Sequence, residues 1–381
     1  MLSIREIKSR KELKSFVNFP FEVFENNPYW VPPIILDELN TLDWNKNPAF
    51  EYCGARYWMA EEDGRVVGRI AAIRNDRFIE KWDKPYLRFG WFDTVDRFEV
   101  AEALLGKVEE WAREQGLTAV HGPMGFTDLD PEGLLVEGFE ERGTLPMIYN
   151  HPYYPSFLEQ LGYRKDVDWL QFEIPVPEKL GEKYTRTREL VLKRNKLRLV
   201  QIERRRDIQK IGRKVFQTLN SAYANLYGVV ELTDRQVESY IKQYLSFVNL
   251  DFIKLIENHK DGVVGFAIAM PRLTEALRKS KGRLFPFGFL HLLKAMKKPK
   301  EIVFYLIGIR PDYQQRGLDS ILLSSLYETC IEYGISSVQT CGELETNTKV
   351  ISLMKNFDSR VNKRRRCYIK ELAPKKDHTR R

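Results

Sequence analysis

Apolar and polar positions along this chain fall into an order that is used twice. Tyr57 to Ala60 and Arg65-Val-Val-Gly-Arg-Ile-Ala-Ala-Ile73 flank an acidic glycine turn at Glu61 to Gly64, the pattern of a β-hairpin. Near residue 260 the pattern returns as Phe252 to Glu257, a turn over Asn258 to Gly262, and Val263-Val-Gly-Phe-Ala-Ile-Ala-Met270. Each hairpin is followed by apolar residues at helical spacing: Leu104, Leu105, Val108 and Trp111 in the first copy, Leu318, Ile321, Leu322, Leu326 and Ile331 in the second. A short strand comes next in both, Leu117 to His121 and Ile335 to Thr340. Each copy then closes with a helix and a strand, Tyr154 to Leu161 with Trp169 to Ile174, and Thr348 to Phe357 with Cys367 to Glu371. The repetition predicts two α/β lobes of similar topology.

A length of 381 residues accommodates that duplication. We expect an N-terminal lobe over 1–175, a basic connecting segment over 176–215, and a C-terminal lobe over 216–381 that carries an apolar and basic insertion at 271–300. Hydrophobic residues make up 43% of the chain and aromatic ones 12%, enough to fill two cores. No stretch is long and apolar enough to cross a bilayer and the start of the chain lacks a secretory pattern, so a cytoplasmic protein is expected. Cys53, Cys330, Cys341 and Cys367 are widely spaced and the five histidines do not gather around them, so neither a disulfide framework nor a metal is expected. The net charge is +8, and Leu180 to Arg213 is rich in Arg and Lys, but Leu190, Val191, Leu192, Leu197 and Val200 are interspersed there. That mixture reads as the solvated face of an ordinary element. With no helix-turn-helix, zinc or aromatic ribonucleoprotein pattern beside it, a nucleic-acid partner is not expected.

Ile302 to Ile309 reads as a buried strand stopped by Pro311, and a helix starts near Leu318. The unpaired N–H groups of residues 315 to 320 at that helix start form an anion cradle, with Gly317 allowing close approach and Arg316 adding charge. Gln314 and Gly317 here resemble the acyl-CoA signature Gln/Arg-x-x-Gly-x-Gly/Ala of the GCN5-related N-acyltransferase (GNAT) superfamily. Asp319 stands where that family has a small residue. Asn347 to Phe357 resembles the family's later helix, with Ser352 where a catalytic Tyr often occurs and Asn356 in place of a Gly. The first lobe has Trp91 to Phe98 where a phosphate turn would stand, with no glycine. The resemblance implies an α/β fold of tandem GNAT-like mixed sheets with flanking helices. It further implies acetyl-CoA or a longer acyl-CoA as co-substrate, without a metal, held by Ile307, Ile309, Gln314, Gln315, Arg316, Gly317, Leu318, Asp319, Ser320 and Asn347.

Glu343 and Glu345 follow the strand whose end should approach the thioester, and they are the candidate bases, although Glu343 equally suits a loop hydrogen bond and Glu345 a place before a helix cap. In the first lobe His151 is a third candidate, or part of a packed turn with Pro152, Tyr153 and Tyr154. Gly122 to Asp128 follows a strand end and is placed to meet a ligand. Cys341 lacks a neighbouring His that would make it a nucleophile. Asn27-Pro-Tyr-Trp-Val-Pro-Pro33, Gly122-Pro123, Asn150-His-Pro-Tyr-Tyr154 and Leu161-Gly-Tyr163 resemble large duplicated bacterial proteins related to bacterial ceramide synthase. That resemblance implies N-acylation of a hydrophobic or sphingoid-like amine, a small-molecule or amphiphilic acceptor. The alternative, motivated by Asp319 and Ser352, is a noncatalytic ligand-binding or scaffold protein of the same fold. Within the insertion, Phe285, Phe287, Phe289, Leu290, Leu293 and Met296 sit among Lys294, Lys297 and Lys298, which suits either a lid or a peripheral membrane contact through 285–298.

Overall fold

A computed structural model describes residues 1–245, 248–354 and 357–373, with the backbone alone for Lys183 and Lys349. The chain begins with β1 (Ser3–Glu6), α1 (Arg10–Asn18), α2 (Pro20–Val23) and α3 (Ile35–Leu42). The hairpin β2 (Cys53–Glu62) and β3 (Arg65–Asn75) follows, then α4 (Asp76–Trp82), β4 (Tyr86–Thr94), α5 (Phe98–Glu114), β5 (Ala119–Gly122) and β6 (Leu134–Glu137). After α6 (Tyr153–Gln160) and β7 (Arg164–Pro175) come α7 (Glu182–Asn195), β8 (Leu197–Val200), α8 (Ile208–Tyr223) and α9 (Asp234–Tyr240). The second hairpin is β9 (Ile253–Asn258) and β10 (Gly262–Pro271). Beyond it lie α10 (Thr274–Ser280), α11 (Gly288–Lys297), β11 (Glu301–Ile309), α12 (Leu318–Glu332), β12 (Ser337–Thr340), β13 (Glu343–Leu344), α13 (Thr348–Met354) and β14 (Arg360–Glu371).

Two compact units result. The first takes residues 1–170, 274–291 and the chain from Asn362 onward, and its sheet runs β1-β2-β3-β4-β5-β14-β7. All its assigned pairings are antiparallel except β4 with β5, which are parallel with Tyr86 opposite Ala119 and Arg88 opposite His121. Alternation along β2 and β3 buries both faces. Trp58, Ala60, Ile70 and Ala72 pack under α5 with Leu104, Leu105 and Val108, while Tyr57, Met59, Ala71 and Ile73 pack against Leu13, Phe16 and Val17 of α1 and Leu42 of α3.

The second unit takes residues 171–273 and 292–361, and its sheet runs β7-β12-β11-β10-β9-β8. Here too a single pair is parallel among the assigned pairings, β11 with β12, and β7 closes the order antiparallel through Ile174 opposite Val338. Taken from its far edge, β8-β9-β10-β11-β12-β7, this order matches β1-β2-β3-β4-β5-β14 of the first unit, and the expected mixed α/β sheets with flanking helices are present. A Cβ on Gly265 would face Leu322 of α12, and one on Gly308 would meet Phe266 and Ala222 of α8, so helices cover both faces.

Three boundaries differ from the sequence reading. Cys367 to Glu371, expected to close the second lobe, lies in β14 and pairs with β5 of the first unit, Ile369 opposite His121. Residues 171–175 of β7, expected to close the first lobe, pair in the second unit. Residues 176–215, read as a connector, are built into the second unit: α7 packs along α12, with an ion pair between Arg188 and Glu328, and β8 pairs with β9. Local patterning specifies a strand but not which of two like sheets receives it. The insertion also divides, since 274–291 clusters with the first unit. There Thr274 donates to the Gly143 carbonyl at 3.0 Å and Arg278 to the Trp30 carbonyl at 2.8 Å, while the Ile35 N–H donates to Gly282 at 3.1 Å. Asn27 shapes the receiving turn by accepting the N–H groups of Tyr29 and Trp30.

Candidate functional site

In the second unit β11 and β12 run together only from Glu301 to Phe304, the last rung being the Cys341 N–H to the Phe304 carbonyl at 3.1 Å. β11 then continues to Ile309 beside β10 alone. The Arg310 N–H donates to Val264 at 2.9 Å on that side. Because antiparallel ladders alternate, Gly308 and Leu306 share its orientation and the main-chain groups of Ile307 and Ile309 face the gap left by β12. Tyr223 Oη donates to the Ile307 carbonyl at 3.0 Å and Gln314 Nε2 to the Ile309 carbonyl at 3.3 Å. What remains for a ligand is the N–H of each isoleucine.

The strand leads into a loop fixed by its own side chains. Tyr313 is buried, gives its hydroxyl proton to Asp261, and carries the guanidinium groups of Arg310 and Arg316 at 5.4 and 4.8 Å from its ring centroid. Arg316 also donates to the Asp312 carbonyl at 2.7 Å. Gln315 and Gly317 have φ of 61° and 81°, the left-handed region that glycine enters freely and glutamine at a cost of roughly 1 kcal/mol. These turns aim the backbone of 315–317 toward the start of α12, whose first N–H groups have no carbonyl one turn back. Among the described residues, the N–H groups of Gln315, Arg316, Gly317, Leu318, Asp319 and Ser320 have no hydrogen-bond acceptor. Six amides converging with a helix N-terminus and Arg316 suit a diphosphate. Asp319 lies half-buried in the first turn and makes no capping bond.

Glu343 starts β13, three residues past the end of β12, on the side where the strands part. Its carboxyl has no hydrogen bond or ion pair among the described residues, and burial pushes it up to about 7. Glu345 follows β13 and is half-buried. Asn347 uses its side-chain oxygen on the Val350 N–H at 3.4 Å, capping α13, so only its amide nitrogen is left to meet a ligand. Asn356 lies outside the described residues. His151 belongs to the first unit, where its Nε2–H donates to the Val23 carbonyl at 3.2 Å and its ring stacks on Phe24 and Tyr153.

The equivalent gap in the first unit is filled by the chain itself. After Arg88 and His121 part, the Met124 N–H donates to the Phe89 carbonyl at 2.8 Å, and a Cβ on Gly90 would sit 2.5 Å from the Met124 oxygen. Only three residues link β4 to α5, and the N–H groups of Val95 and Arg97 are already bonded. Sequence patterning missed the half-buried acids gathered there: Glu38, which accepts from Trp91 Nε1, and Asp130 and Glu132 beside Asp128. Burial pushes Asp128 and Asp130 up to about 6, with Arg88 pulling both down. Their spacing carries no period, so only the fold assembles them. His121, Asp166 and Cys367 of the same unit place ligand atoms within 4.8 Å of one another and could hold a metal, although the charges of Arg88 and Lys84 oppose a cation beside His121.

No family model matches the chain. It is 28% identical over 383 residues to Protein YghO of Escherichia coli, covering 97% of this chain and 95% of that one. It is 27% identical over 382 residues to a bacterial ceramide synthase of Caulobacter vibrioides, covering 97% and 98%. Among solved structures, a tandem GNAT protein from the clavulanic acid biosynthesis pathway superposes with a TM-score of 0.55 at 12% identity, over 98% of this chain and 99% of that chain. A GCN5-related N-acetyltransferase from Sphaerobacter thermophilus gives 0.54 at 14% identity, over 98% and 96%. The fold is that of the GNAT superfamily in its tandem form, shared along almost the whole chain.

Proposed function

We propose that this chain is an acyl-CoA-dependent N-acyltransferase of the cytoplasm that acts on a hydrophobic or sphingoid-like amine. The observation that carries the reading is the run of unbonded amides from Ile307 and Ile309 to residues 315–320, a continuous track for a pantetheine arm and its diphosphate. An acetyl or longer acyl thioester lying along β11 would direct its carbonyl oxygen at an N–H of the parted strand, which would stabilise the oxyanion formed as the amine attacks. The amine must give up a proton, and Glu343, at about 7, is matched to receive it near neutral pH, directly or through water. The C–S bond then breaks and CoA leaves as its thiol. Support for the acceptor class comes from full-length similarity to a bacterial ceramide synthase.

The second reading, a noncatalytic GNAT-fold binding protein, is favoured by Asp319, whose carboxylate stands in the first turn of the anion-binding helix. Calorimetric titration with acetyl-CoA and a long-chain acyl-CoA, paired with CoA release on a panel of long-chain amines, polyamines and amino acids, separates the two. Saturable binding with turnover only on long-chain amines is the expected result. Binding without turnover on any amine selects the second reading, and no binding removes the acyltransferase.

A further inference from the structure

The helix α11 and the turn before it carry apolar side chains on the wrong side for a water-soluble surface. Phe285 is 74% exposed and Phe287 71%, and Leu290, Leu293 and Phe289 are 51%, 46% and 38% exposed. No residue of α11 is buried. On the helix, Phe289, Leu290 and Leu293 share one outward arc, with Met296 half-buried at its edge and Leu292 and Ala295 half-buried beyond it. Three phenylalanines and two leucines together present an apolar patch on the order of several hundred Å², the size that marks an interaction surface.

The patch is held in place rather than frayed. Arg278 and Gly282 tie the preceding α10 and its end to the turns at Trp30 and Ile35, and the Phe289 N–H donates to the Leu284 carbonyl at 2.8 Å to lock the turn into α11. Along the chain its flanking charges are of one sign. From Ala276 to Lys300 the sequence has no Asp or Glu, and Lys279, Lys281, Arg283, Lys294, Lys297 and Lys298 are all exposed. A protein partner of ordinary composition would demand acidic side chains distributed around a shaped pocket. A flat anionic surface with an apolar interior demands only what is present, a projecting aromatic wedge ringed by lysine and arginine.

We propose that residues 283–298 form a peripheral membrane-binding wedge selective for anionic lipid, with Phe285 and Phe287 entering the acyl boundary and the cations meeting headgroup phosphates. The proposal is independent of acyl transfer, because its readout is vesicle binding. The full chain is floated with vesicles of phosphatidylcholine alone and with vesicles that include phosphatidylglycerol. Binding to the anionic vesicles, weakened by salt, is expected. Phe285→Ser with Phe287→Ser should lower the partition coefficient about tenfold or more, since two largely exposed rings lose their apolar refuge. Lys294→Glu, Lys297→Glu and Lys298→Glu together should abolish the preference for anionic vesicles. Both variants alter exposed side chains, and an unchanged melting temperature confirms that they fold. Absence of flotation, or flotation unaffected by the phenylalanine double variant, overturns the proposal. A wild-type dimer in light scattering that the double variant converts to monomer also overturns it, assigning the patch to a second copy of the chain.

Discussion

At the scale of the residue, Glu343 links chemistry to stability with opposite signs. Its carboxyl titrates at about 7 in the folded chain and near 4.5 when unfolded, so between these values the native state holds a proton the unfolded state has lost. The contribution is intact below pH 4.5 and is lost as pH rises through 7. Glu343→Gln should therefore melt higher than the parent at about pH 8, by on the order of 2 kcal/mol, and match it under acid conditions. The same variant should lose the limb near neutrality in the pH profile of kcat/KM. Thermal melts and rate profiles across that range check both; a variant less stable than the parent in alkali would refute the assigned burial. Gly317→Asp puts a side chain on a φ of 81° and a charge among the free amides, and should weaken acyl-CoA binding roughly tenfold or more. Asp319→Asn removes a carboxylate from the first turn and should tighten binding about two- to fivefold at low salt. Calorimetry measures each, and unchanged affinity in both would place the diphosphate elsewhere.

At the scale of the element, the hairpins and the two long helices were legible because alternation and helical spacing are local. The N-terminal helices were not, although Leu13, Phe16 and Val17 cover the inward face of β2, because nothing in the hairpin announces what will bury its second side. Gln314 to Ser320 was legible from glycine and the flanking pattern. The orientation of the Ile307 and Ile309 amides depends on where β12 leaves β11, and the sequence of β12 does not mark that point. The destination of β14 was equally hidden. Its Cys367, Tyr368 and Ile369 are buried in the first unit, so removing the chain from Asn362 onward should leave that unit unable to fold, while residues far earlier in the sequence melt. Limited proteolysis of the truncated chain is expected to degrade 1–170 rapidly. Survival of a resistant 1–170 fragment would contradict the pairing with β5.

At the scale of the molecule, duplication of topology has not produced duplication of the open strand gap. The first unit closes its strand gap with Met124 and spends the loop amides of Val95 and Arg97 internally, whereas the second leaves its gap and the amides of 315–320 open. Titration should give one acyl-CoA per chain, and Gly317→Asp should weaken that single event rather than halve a stoichiometry of two. The placement of β14 reaches beyond the finished structure into its manufacture. Between the end of β7 and Asn362 the ribosome must add most of a second lobe, a delay of about 10 to 40 s at ordinary elongation rates. Throughout that interval the edge of β5 that β14 will cover stays unsatisfied, an adhesive margin on a nascent chain. The gene thus obliges its first half to wait for the dozen codons of β14, and slowing translation ahead of them should raise aggregation of the early half.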